Sequence, residues 1–379
     1  MTASRTNMNS TKLIIFVVLF WVIGVSLLFV THAAAPTAGI EAENGLASGG
    51  SSILSDTSAS NGAAVRFGVA NTGSLWGPGP ITDQIPSNPK IDNSSGSIIS
   101  SYFSANKIYA NAYAYGHVYS YSSASDPTYT ITPSNTGSWG PNPFAQVVTT
   151  ASGSASCNPL HIPNSATVPT GSDGWLHIID STKPGIICSL WQATKASGSW
   201  SSSWGGVWDY VHGDGITPLA GNGGGSNIEG GIILASEVAK GVIPHALGFA
   251  FHCNNVSTFR PPAIKTDGNC GTSPVQEGMR FQLDPTFNCG TMPTTMEHMI
   301  CVALQQYGAY DTDTTGSSDV GFTFQTDDLA DPGRAPWQKP GDYTRSGGLY
   351  NQAGITADYQ SMPDIPVSRL RVLASWNGQ

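Results

Sequence analysis

Charge is what this sequence has least of: Asp, Glu, Lys and Arg make up 11% of its 379 residues. That excludes a fold built on exposed amphipathic helices, whose outer faces need Glu and Lys. Basic residues are the scarcer sign, with 16 Lys and Arg against 25 Asp and Glu. A nucleic-acid partner is excluded with them, because displacing phosphate counterions takes a basic stripe and the local clusters are as thin as Arg369 with Arg371. No two cysteines stand at CxxC spacing, which argues against zinc or thiol redox chemistry. There is no Gly-x-Ser-x-Gly elbow for a serine nucleophile. Gly221-Asn-Gly-Gly-Gly-Ser226 lacks the Lys of a phosphate loop and the strand-helix setting of a dinucleotide fingerprint.

What is abundant points to strands. Gly (44) and Pro (25) favour turns, and an all-β architecture is the natural expectation. Residues 1–12 hold Arg5 and Lys12, and Leu13 to Val30 is an 18-residue run without charge ahead of Ala33-Ala-Ala-Pro36. This is an export signal, cleaved after the Ala triplet or kept as an anchor, since the run is just long enough to span a bilayer. The basic flank puts the rest outside the cytoplasm in either case. The chain is thus expected to be secreted or on the cell surface, touching membrane only through residues 13–30. All six cysteines follow the signal, as suits an oxidising compartment. Proximity favours Cys157 with Cys188, Cys253 with Cys270, and Cys289 with Cys301.

Residues 71–100 have the composition of a linker or extended wrap. From Ile108 on, Tyr109, Tyr113, Tyr115, Tyr119 and Tyr121 recur at odd positions. Period two means a strand with a tyrosine face, serving either cross-strand packing or a flat sugar platform. Asp173 to Asp180 and Ile186 to Trp191 read as a hairpin. Trp200, Trp204 and Trp208 follow at a spacing of four in a Ser/Gly context too poor for a helix. Their indoles either face a sugar or pin the loop to the core. One helix is predicted over about 293–308, with a Thr N-cap in Pro293-Thr-Thr-Met-Glu297, apolar Met299, Ile300, Ala303 and Leu304, and Gly308 to end it.

Two resemblances add to this reading. Ala38-Gly-Ile-Glu41-Ala-Glu43 and Ser60-Asn-Gly-Ala-Ala-Val65 resemble the opening of jelly-roll carbohydrate-binding modules, and residues 36–100 read as a truncated module-like lead and linker. From about 173 to 373 the landmarks Gly223-Gly-Gly-Ser, Glu237, Gly241-x-Ile243-x-His245-Ala-Leu, Gly278-x-Arg280-x-x-Leu283, Ala303-Leu-Gln-Gln-Tyr307-Gly308 and Asp313 are similar, in order and spacing, to an uncharacterised family of secreted bacterial β-sandwich proteins. That resemblance implies export and a sandwich, with no established reaction. The cysteine-bearing loop 253–270 departs from it. Residues 101–379 are accordingly expected to form a single domain, a jelly-roll-like antiparallel β-sandwich with one packed helix and long loops.

Alternation along Pro244 to Cys253 puts His245 with Leu247, Phe249 and Phe251 on the bulky apolar face, where it is either structural or a general base. In the next strand Glu277, Met279, Phe281 and Leu283 share one face, and Arg280, Gln282 and Asp284 the other. Glu277 with His245 would make an acid/base pair. Arg280, Gln282 and Asp284 would instead line a polar, glycan-facing surface. Asp209, His212 and Asp214, and separately Asp311, Asp313 and Asp319, fall in polar turns without a defined metal motif. No cofactor is therefore expected, a structural calcium being the one metal the acidic loops would suit. The leading expectation is an extracellular polysaccharide-binding protein that contacts its glycan through Trp200, Trp204, Trp208, Arg280, Gln282 and Tyr307. The alternatives are a polysaccharide-degrading enzyme and a structural envelope protein. A hydrolase would draw on Glu277 with Asp284 or Asp313, and a lyase on His245 or Tyr307 with Arg280 neutralising a uronate.

Overall fold

The computed structural model describes residues 52–55, 63–66, 81–104, 107–150, 153–209, 221–226, 231–316, 319–326 and 348–375. The expected export segment, His212 and Asp214 lie outside them. The chain divides into two units, Met1–Ala70 and Asn71–Gln379. In the first, Ser52–Ser55 pairs antiparallel with Ala63–Arg66.

The second unit holds two large sheets. Their strands in chain order are β1 Ile108–Asn111, β2 His117–Ser122, β3 Leu176–Asp180, β4 Ile186–Trp191, β5 Trp204–Asp209, β6 Leu247–Phe251, β7 Arg280–Leu283, β8 Ala309–Thr314, β9 Val320–Thr323, β10 Gln325–Thr326, β11 Gln360–Ser361 and β12 Leu370–Val372. The larger sheet runs β11-β1-β9-β6-β8-β7-β12 and the smaller β5-β4-β3-β2-β10. A mostly β fold is therefore borne out, but the pairing is mixed rather than antiparallel. β1 and β9 are parallel neighbours in the large sheet, and their continuations β2 and β10 are parallel neighbours in the small one. β6 with β8 and β2 with β3 are parallel as well.

Period-two alternation sorts the side chains into three cores. Phe103, Phe249, Phe251, Phe281 and Phe322 centre the core of the large sheet, with the Phe103 and Phe251 rings stacked 4.3 Å apart. The helix Thr295–Gln306 covers that core with Met296, Met299, Ile300, Ala303 and Leu304. It begins as expected: Thr294 Oγ1 accepts from the Glu297 N–H at 3.1 Å and donates to the Glu297 carboxylate at 2.8 Å. The small sheet is buried on both sides, Leu176, Ile178, Ile186, Cys188 and Leu190 facing one core and Tyr119, Ile179, Ile187 and Trp208 the other. The three disulfides are those that proximity suggests, Cys157–Cys188, Cys253–Cys270 and Cys289–Cys301. They indicate an oxidising environment. No helix among the described residues is long and apolar enough to cross a membrane.

His245 belongs to this framework and not to a site. It is fully buried, with Nδ1 2.8 Å from the Ala246 carbonyl and Nε2 3.0 Å from Glu237. The same Glu237 carboxylate accepts from the Leu234 N–H at 2.9 Å, so it holds the start of the short helix Ala235–Lys240 against the head of β6. Replacing Glu237 with Ala removes an acceptor shared by two buried donors. The expected loss is about 1 to 3 kcal/mol of unfolding free energy in chemical denaturation for each buried donor left without its acceptor, with Glu237→Gln costing less.

Candidate functional site

The acidic end of β8 makes the floor of a cleft. β6 and β8 run parallel with Phe249 opposite Asp311, but Ala250 faces Asp313, so Thr312 is an extra residue in a β-bulge. Bulges re-aim side chains. Here Asp311 stays on the Phe249 side and is fully buried, while Asp313 turns with Ala250 to line the cleft.

Three loops bring further groups to Asp313. The loop closed by Cys253–Cys270 carries Asp267, whose N–H donates to Glu277 Oε2 at 3.2 Å. Glu277 is the first central residue of a tight turn in which Met279 N–H bonds the Gln276 carbonyl and Gly278 takes φ +88°. A Cβ on Gly278 would lie 1.7 Å from the Arg260 carbonyl oxygen, so this turn requires glycine. The glycine-rich loop 221–226 approaches from the other side. A Cβ on Gly223 would sit 2.3 Å from Asp313 Oδ1 and 2.5 Å from the Asp267 carboxylate, so bare backbone lies against both acids. One oxygen each from Asp267, Glu277 and Asp313 falls within 4.8 Å of the others, a cluster able to hold a metal ion.

The cleft has two adjoining lobes of about 470 and 490 Å³ that share Asp173, Trp175, Asn222, Asp313 and Thr314. The first, over the large sheet, is lined by Tyr109, Asn111, Tyr115, His117 and Tyr359. The second is walled by Trp139, Trp175, Trp191 and Trp204 and floored by Asp267. Trp139 is 51% exposed and packs 5.8 Å from both Trp191 and Trp204, edge-on to the latter. Lys265 is the only Lys or Arg among the described lining residues.

Electrostatics follow from that imbalance. Burial, reinforced by the Asp267 carboxyl beside it, pushes Glu277 up to about 10. Burial also raises Asp311 and Asp313 well above the ordinary carboxylate range; a hydrogen bond from Asn254 partly offsets it for Asp311, and Asp267 adds to it for Asp313. Asp173 is raised by burial against a hydrogen bond from Trp191. At the other side of the first lobe, His117 Nδ1 lies 2.8 Å from His177 Nε2, and His177 Nδ1 lies 2.9 Å from Ser189 Oγ. Burial, and then His177, depress His117 well below its ordinary 6.5.

Of the residues expected from the sequence, Asp313 and Trp204 reach the cleft and Glu277 lies just beneath its floor. The others do not. Glu277 precedes β7 in a turn, so strand parity never pairs it with His245. Arg280 is buried, bonding the Tyr307 and Asp83 carbonyls and lying over the Tyr310 ring, which removes it as a uronate contact. Gln282 is buried between the Gln305 carbonyl and Arg371. Asp284 pairs with Arg369 and caps Thr286, whose side-chain and backbone bonds hold its carboxyl down to about 2. Tyr307 lies near Gln84, away from the cleft. Trp200 and Trp208 are core residues at 6% and 1% exposure. The sequence reading missed Asp173, Asp267, Trp139, Trp175 and Trp191 as site residues. The signal available for Asp267 was its place in a loop flanked by two cysteines close enough in sequence to pair.

The histidine chain yields a pH prediction. The unfolded chain takes up a proton that buried His117 refuses, so the stability from keeping it neutral is complete above about pH 6.5 and is lost as pH falls below that. His117 packs between the rings of His177 and Trp175. The raised carboxyls of Glu277, Asp311 and Asp313 act in the opposite direction, so the His117 contribution is read as a difference: unfolding free energy of the wild type minus that of His117→Gln should fall as pH drops from about 6.5 to about 5. No family model matches the chain, and neither the curated proteins nor the solved structures contain a significant match.

Proposed function

We propose that this chain is an extracellular protein that binds a polysaccharide in the two-lobed cleft. The observation that carries the reading is the wall of Trp139, Trp175, Trp191 and Trp204 standing over Asp173, Asp267 and Asp313 in one groove. Sugar rings offer flat C–H faces that stack on indoles, and rims of hydroxyls that donate to carboxylates. Tyr109, Tyr115 and Tyr359 extend the platform into the first lobe, as an extended chain of sugars requires. A lining with one Lys against several acids favours neutral or amino sugars over uronates. The disulfides fit an extracellular setting.

A second reading, hydrolysis, is favoured by one observation. Oxygens of Asp267 and Asp313 lie within 4.8 Å in the cleft, near the roughly 5 to 5.5 Å carboxyl separation of retaining glycosidases.

Binding to a panel of neutral, amino and acidic polysaccharides tests both. Trp139→Ala, which removes an exposed ring, should weaken glycan affinity about tenfold, equal to about 1.4 kcal/mol. Trp200→Phe, in the core behind the cleft, should leave affinity unchanged. Reducing-end release lost in Asp313→Asn would make hydrolysis the function. Failure to bind any glycan, or unchanged affinity in Trp139→Ala, would sink the binding reading.

A further inference from the structure

We propose that Asp267, Glu277 and Asp313 together bind a divalent cation of calcium size at the floor of the cleft. This goes beyond glycan recognition and stands whether or not a sugar binds.

Spacing is the first argument. Two oxygens on one Ca²⁺, bonded at about 2.3 to 2.6 Å, can be no more than about 4.6 to 5.2 Å apart, whereas on Mg²⁺ the limit is about 4.2 Å. Asp267, Glu277 and Asp313 each place an oxygen within 4.8 Å of the other two, close enough for one cation to gather, and the larger, more flexible shell of Ca²⁺ tolerates such a spread better than the tight octahedron of Mg²⁺.

The second argument is independent of spacing. Glu277 is fully buried, and while its Oε2 accepts from the Asp267 N–H, its Oε1 has no hydrogen-bond partner. Asp311, fully buried beside this group, likewise leaves Oδ2 without one. Orphaned buried acceptors cost about 1 to 3 kcal/mol each, more when charged, and a cation satisfies several at once. No cationic side chain does so here. Among the described residues no Lys, Arg or His forms an ion pair with Asp267, Glu277, Asp311 or Asp313; Arg260, the nearest arginine in sequence, is committed to Asp92 and Gln276.

The scaffold is also suited to an ion. Asp267 is held by the Cys253–Cys270 loop and by Thr266, whose hydroxyl donates to the Asn255 carbonyl at 2.8 Å. Gly223 lets backbone approach two of the carboxylates closely enough to exclude a side chain from the space beside them.

The tryptophan wall supplies the probe. Terbium(III) has calcium-like chemistry and emits when an indole within several ångströms is excited, and four indoles line the lobe that holds Asp267 and Asp313. The full chain, oxidised and freed of metal with chelator, should show saturable tryptophan-sensitised terbium emission that Ca²⁺ reverses and Mg²⁺ at the same concentration does not. Glu277→Gln and Asp313→Asn should each weaken terbium and Ca²⁺ binding about tenfold or more, since affinity follows the charge of the ligand set. Ca²⁺ should raise the melting temperature of the wild type and not of Glu277→Gln. Folding of that variant is checked by its melting transition in chelator, which exchange of a buried carboxyl for an amide of the same size should leave in place. Absence of saturable emission in the wild type, or Ca²⁺ affinity unchanged in both variants, would overturn the proposal; equal displacement by Mg²⁺ would overturn the size assignment. Glycan binding is measured separately in chelator, so its failure and the failure of the cation site are read in different experiments.

Discussion

The geometry of the cleft depends on two strands that leave one sheet side by side and enter another side by side. β1 and β9 are parallel neighbours, the chain turns after each, and β2 and β10 are parallel neighbours again. At the crossing the Phe324 carbonyl accepts from the His117 N–H at 2.8 Å, and the Gln325 N–H donates to the Ile233 carbonyl at 2.8 Å, so backbone pairing continues through the bend. Gly116 is needed there because a Cβ would come within 2.7 Å of Thr326 Cβ. Two covalent connections plus a ladder leave the sheets little freedom to slide. Tyr109 and Asn111 before the first crossing, and His117 after it, consequently line the same lobe.

Onto that rigid joint the chain adds groups that are unfavourable by themselves. Asp311 and Glu277 are buried, Asp313 and Asp173 are half-buried, and burial shifts all four carboxyls upward. A fold selected for stability alone would put apolar residues or an arginine there. Arg280 shows the contrast, since its charge is spent on the Tyr307 and Asp83 carbonyls on the far side of the same sheet. Clusters of this kind sit where a ligand or ion completes them.

Much of the architecture was legible in the sequence. The Ile186–Trp191 strand and its partner, the capped helix after Pro293, and all three disulfides follow from alternation, capping chemistry and proximity. The site was harder to read, for identifiable reasons. Strand parity assumes a regular strand, and it fails at Glu277, which sits in a turn made by Gly278; Asp311 and Asp313, expected in a polar turn, lie instead in β8, where a bulge re-aims Asp313. Tryptophans at a spacing of four look alike in sequence, yet Trp200 and Trp208 enter different cores while Trp204 meets Trp139, which stands 65 residues earlier in the chain. Convergence of Asp173, Asp267 and Asp313 is a product of long-range topology, which local pattern does not encode.

Asp267 reaches the acidic floor only as part of a loop whose two ends are joined by Cys253 and Cys270, 17 residues apart. A ring of that size removes about 3 kcal/mol of unfolded-state freedom from the segment. Where thiols stay reduced, nothing covalent holds the Asp267 carboxylate beside Glu277 and Asp313. The position of that carboxylate is therefore tied to the oxidation state of the surroundings, whereas the strands beneath it are joined by backbone pairing.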